Sequence, residues 1–117
     1  MEFFIRHKSE LPILKMQVVR DGRTDAHKIF DADLDTATIR FSMKNEANGI
    51  EKILMNNAYI TEKIQVNPDA PYEYYIYYKW GKRDTNTKGR FIGEFHIHNS
   101  MGKLIAPIRE NLYINII

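Results

Sequence analysis

The sequence predicts an all-β chain, a sandwich or barrel of about seven to eight short antiparallel strands. Three observations point there. Apolar and polar residues alternate with a period of two along most of the chain. Turn-forming residues recur about every 8–12 positions. No stretch carries the apolar stripe of a helix of about ten residues.

Each element follows from its own pattern. FFIRH (3–7) reads as a short strand that stops before Pro12. ILKMQVV (13–19) sets Leu14, Met16 and Val18 against Ile13, Lys15, Gln17 and Val19, which leaves one cleanly apolar face. RDGR (20–23) holds an Asp-Gly pair of the kind that reverses a chain, and KIFDADLDT (28–36) is acidic and irregular. ATIRFSMK (37–44) points Ile39, Phe41 and Met43 one way and Arg40, Ser42 and Lys44 the other. NEANG (45–49) is a turn. ILMNNAYITEKIQV (53–66) reads as one or two strands with Asn56-Asn57 as a tight corner, and NPDAP (67–71) breaks the chain.

PYEYYIYYKW (71–80) is the most aromatic segment. As a strand it places Tyr72, Tyr74, Ile76, Tyr78 and Trp80 on one face and Glu73, Tyr75, Tyr77 and Lys79 on the other. This pattern predicts a central core strand with Trp80 as an anchor. Tyr75 and Tyr77 are then its contact candidates, because their rings share a face with charge. RFIGEFHIH (90–98) turns Phe91, Phe95 and Ile97 inward. NSMGK (99–103) is a hairpin loop, and LIAP leads to the closing strand NLYINII (111–117).

A chain of 117 residues fits one domain, 1–117, around a single core. The net charge of +2 is small and the basic residues are scattered, which gives no electrostatic footprint for nucleic acid. Lys79, Lys82, Arg83, Lys88 and Arg90 bracket a turn and read as a solvated surface. The chain has no cysteine, so disulfides and thiolate metal sites are excluded. No apolar run approaches the roughly 20 residues of a membrane helix, and MEFFIRHKSELP lacks the order of a secretory signal. The expectation is a protein made and used without export and without a membrane partner.

Few residues suggest chemistry. His96 and His98 in FHIH share one strand face, a spacing that suits metal ligation, but a site needs three or four ligands. A symmetry-related pair from other copies would complete one; the simpler reading is two exposed polar residues. Asp31, Asp33 and Asp35 offer oxygen ligands for calcium but lack the glycine and terminal glutamate of an EF-hand loop. Ser9, Ser42 and Ser100 have no paired base, and no nucleophile elbow or phosphate loop is present. The expectation is a non-enzyme without cofactor or metal.

Residues 74–116 carry a longer pattern: Trp80 closing a strand, then Asp84-Thr85, Gly89, Phe91, Glu94-Phe95, Gly102, Pro107 and Tyr113-Ile114. This series resembles the immunoglobulin-like domain at the start of phage baseplate upper proteins and related small phage structural proteins. LPILKMQVV and DLDTATIRFSMK are compatible with its first half, so the resemblance spans about residues 8–117. It implies a single immunoglobulin-like β-sandwich serving as a non-enzymatic virion subunit in the tail or baseplate. Its implied partners are other tail, baseplate or capsid proteins, with a possible homo-oligomer, and its implied places are the virion and the host cytoplasm during assembly. NLYINII and FFIRH are the candidate edge strands for such contacts. An alternative is a carbohydrate-binding or decoration module using Tyr75 and Tyr77.

The motif also has a physical reading. Asp84 and Thr85 can bond backbone amides in the crossing between strands, and Gly89 permits a positive φ ahead of Phe91. The turn resembles the tyrosine corner of immunoglobulin sandwiches. Phe91 has no hydroxyl, so packing alone is expected to fix it.

Overall fold

In a computed structural model the described residues are 1–18, 36–70, 73–100, 102–108 and 110–117. The Asp-Gly turn at 20–23, the Asp31, Asp33 and Asp35 series and Tyr72 lie outside them. The described residues are all-β. The strands are β1 (Glu2–Ile5), β2 (Leu14–Val18), β3 (Thr38–Asn45), β4 (Glu51–Ile64), β5 (Glu73–Tyr78), β6 (Gly89–Asn99), β7 (Gly102–Ala106) and β8 (Leu112–Ile116). They form one sheet in the order β1-β8-β6-β3-β4-β5-β2, with β7 on β6. The sheet rolls nearly into a barrel around one hydrophobic core.

Alternation decides which side chains fill that core. Leu14, Met16 and Val18 are buried from β2, Tyr74, Ile76 and Tyr78 from β5, and Phe91, Phe95 and Ile97 from β6. Phe41 is the aromatic hub. Its ring lies 4.7 Å from Tyr78, 4.9 Å from Phe95 and 5.9 Å from Trp80, which meets it edge-on. Such pairs add about 0.5–1.5 kcal/mol each beyond the area they bury. Gly93 lies under this hub: a Cβ there would sit 2.9 Å from Phe41 Cζ. The missing side chain therefore lets the Phe41 ring lie against the backbone of β6.

Four sequence expectations change. The strands are not all antiparallel, because β1 runs parallel to β8. These two strands are joined through the rest of the chain and not by a hairpin, so no short loop imposes a direction. Asn56-Asn57 is not a corner: β4 continues through it, pairing β3 along its first half and β5 along its second. The irregularity is a bulge at Met55, whose φ of +52° is costly for a side chain with a Cβ. Ser42 Oγ accepts the Met55 N–H at 2.9 Å and satisfies the amide that the bulge frees.

The closing strand is not an edge. β8 has β6 on one side and β1 on the other, so both rows of its backbone groups are engaged. β1 does end the order at one side, and β2 ends it at the other. The aromatic strand β5 is a core strand flanked by β4 and β2, but it lies one place from the end of the order and not at its centre.

The segment joining β1 to β2 is held by the β5–β6 connection. Thr85 Oγ1 donates to Ser9 O at 2.7 Å, Lys8 N donates to Thr85 O at 2.8 Å, and Trp80 Nε1 donates to Pro12 O at 3.1 Å. Thr85 is fully buried, so its hydroxyl needs this partner.

Candidate functional site

The Asp84 turn is structural and is built differently from the expectation. Asp84 Oδ2 does take a backbone amide, from Gly81 at 2.7 Å. Thr85 uses its hydroxyl on a carbonyl instead of an amide. The corner also has a tyrosine: Tyr78 donates its hydroxyl to Asp84 Oδ2 at 2.6 Å and accepts from Asn56 Nδ2 at 3.2 Å. A hydrogen bond therefore assists packing here, with the hydroxyl on β5 and not at Phe91. Burial, helped by the Asp84 carboxylate, pushes the Tyr78 phenol well above its usual range. Gly89 has φ +148°, the glycine-favouring conformation the sequence suggested, and Phe91 and Phe95 are buried. Trp80 is 2% exposed and anchors the core as its place in the pattern implied.

Two outer surfaces carry groups able to meet a partner. The first lies across β2, β5 and β4. Register places Lys15, Tyr77 and Tyr59 in one row and Gln17, Tyr75 and Glu62 in the next. Tyr75 and Tyr77 are half-buried and Tyr59 is exposed, with the Tyr59 and Tyr77 rings 5.5 Å apart. Lys15 Nζ lies 5.1 Å from the Tyr75 ring centre and pairs with Glu62. Tyr59 was missed in the sequence because the supposed corner at Asn56-Asn57 concealed its parity with the strand.

The second surface is a depression of about 430 Å³ on the outer side of β3, β6 and β7, lined by Thr38, Arg40, Met55, His96, His98 and Lys103. His96 and His98 do share this face. They are not equally exposed: His98 is open to solvent, whereas the His96 side chain is only 12% exposed. His96 lies between Arg40 on β3 and Ile105 on β7 in its row. Its Nε2 is 3.3 Å from Glu94 Oε2. Among the described residues no group of three or more His, Cys, Asp or Glu is placed to hold a metal.

The remaining motif residues sit on the surface or support it. Arg90 lies 3.8 Å above the Tyr113 ring and pairs with Glu2 and Glu46, while Lys79, Lys82, Arg83 and Lys88 are exposed around the turn. Ser42 faces outward by parity but is buried beneath the Met55 bulge. No protein-family model, curated protein or solved structure matches this chain.

Proposed function

We propose that this chain is a non-enzymatic structural subunit of a phage virion, in the tail or baseplate, acting through protein–protein contacts. The virion setting comes from the Trp80, Asp84-Thr85, Gly89, Glu94-Phe95 and Tyr113 pattern. The mode of action is supported by one observation: Tyr59, Tyr75 and Tyr77 are displayed together beside the end strand β2. Tyrosine combines a large rigid contact area with a polar tip, which is why it is enriched in protein interfaces. The fold is read as an immunoglobulin-like β-sandwich. On that reading the single sheet would fold at β4, with β3, β6, β8, β1 and β7 to one side of it and β5 and β2 to the other.

The partners are neighbouring tail, baseplate or capsid proteins and further copies of the chain, met in the host cytoplasm and then in the particle. A tagged chain should recover virion proteins from lysate of infected host cells, and Tyr59→Ala with Tyr77→Ala should reduce that recovery. Retention of glycans and no virion protein would overturn this reading in favour of a carbohydrate-binding module. That second reading is favoured by the paired, solvent-facing Tyr59 and Tyr77 rings. A glycan-array signal lost in Tyr77→Ala would establish it.

A further inference from the structure

The geometry points to the depression on β3, β6 and β7 as a binding site for a small ligand bearing an oxyanion: phosphate, sulfate or carboxylate. This site is separate from the tyrosine face. Four basic side chains from three adjacent strands line it: Arg40, His96, His98 and Lys103. Strand register brings them together. Thr38, His98 and Lys103 form one row across the sheet, and Arg40 stands opposite His96 in the next.

The two permanent cations of this set are Arg40 and Lys103. Glu94 is engaged with His96, and among the described residues no carboxylate pairs with Arg40, His98 or Lys103. Arg40 Nη1 donates to Asn57 Oδ1 at 3.0 Å and to Met55 O at 3.4 Å. Both acceptors are neutral, so they hold the guanidinium in place without cancelling its charge, and its other N–H donors remain for a ligand. His96 Nδ1 is buried without a hydrogen-bond partner and is closed to a ligand, so the contacts fall to the other lining residues.

In a chain with a net charge of only +2, Arg40 and Lys103 bring two permanent cations to one concave place, which suits an anion. The volume of about 430 Å³ falls in the range of small-molecule sites and exceeds what a bare ion fills. The space admits an oxyanion carried on a body about the size of a sugar. Arg40 and Lys103 meet the charge, Thr38 and His98 offer hydrogen bonds, and Met55 provides an apolar wall.

The test is an amide NMR titration of the whole chain with sodium phosphate, glucose 6-phosphate, glucuronate and neutral glucose at constant ionic strength. Saturable shifts at Thr38, Arg40, His98 and Lys103 with an anionic probe are expected. The probe that saturates at the lowest concentration distinguishes a phosphate from a carboxylate source. His98→Gln and Lys103→Gln alter exposed side chains away from the core, and each should weaken binding about tenfold, as loss of a charge-assisted hydrogen bond implies. Absence of a saturable shift with every anion, equal binding of glucose, or unchanged affinity in both variants would overturn the assignment.

Discussion

Tyr78 donates its hydroxyl to Asp84 Oδ2 at 2.6 Å, and the same oxygen accepts the Gly81 amide at 2.7 Å. One carboxylate oxygen thus ties the end of β5 to the turn that follows it. The turn in turn holds the β1–β2 segment through Thr85 and Ser9. This contact predicts that Tyr78→Phe costs about 1.5–3 kcal/mol, the usual range for a hydrogen bond to a charged group. Urea unfolding of Tyr78→Phe, Asp84→Ala and the double variant checks it. Costs that simply add would show that the two residues are not coupled.

The same contact predicts a pH effect. The Tyr78 phenol titrates well above its usual value in the folded chain, mainly through burial and then through Asp84. Its stabilising contribution is therefore complete below the unfolded tyrosine value of about 10 and declines as pH rises beyond that toward the folded value. Stability of the wild type should fall more steeply than that of Tyr78→Phe above about pH 10. Parallel curves for the two proteins would remove Tyr78 as the cause.

Trp80 stacks on Phe3 at 5.9 Å, meets Tyr78 edge-on at 5.3 Å and bonds Pro12 O through its indole N–H. Trp80→Ala should cost about 3–5 kcal/mol, a large share of the 5–15 kcal/mol typical of a folded domain. A melting temperature that hardly moves would contradict this packing.

Gly93→Ala should destabilise by about 1–3 kcal/mol, because the added methyl meets a ring with no room to retreat. Phe41 is fully buried, and its Cε1 and Cζ would lie 3.0 and 2.9 Å from the new Cβ. An unchanged urea midpoint would mean that the Phe41 ring can move.

Strand faces were legible because alternation is local. Leu14, Met16 and Val18, the Tyr74, Ile76, Tyr78 and Trp80 row, and Phe91, Phe95 and Ile97 are all buried as parity implied. Strand neighbours were not legible, because pairing depends on residues far apart in the chain. The parallel β1–β8 pair and Arg40 opposite His96 have no local signal, whereas Lys103 opposite His98 follows from the hairpin at NSMGK. Asn56-Asn57 misled for a related reason. Asparagine favours turns on its own, yet here Asn57 accepts from Arg40 and Asn56 donates to Tyr78. Those long-range bonds keep β4 extended where the local preference is for a reversal.

Cross-linking mass spectrometry on washed virus particles is the decisive assay of the proposed assembly role. Lys15, beside Tyr75 and Tyr77, should cross-link to another virion protein, and Tyr59→Ala with Tyr77→Ala should abolish that link while the isolated variant stays folded. Particles that lack the chain altogether, or that hold it with Lys15 unlinked and unaffected by the tyrosine changes, would refute it.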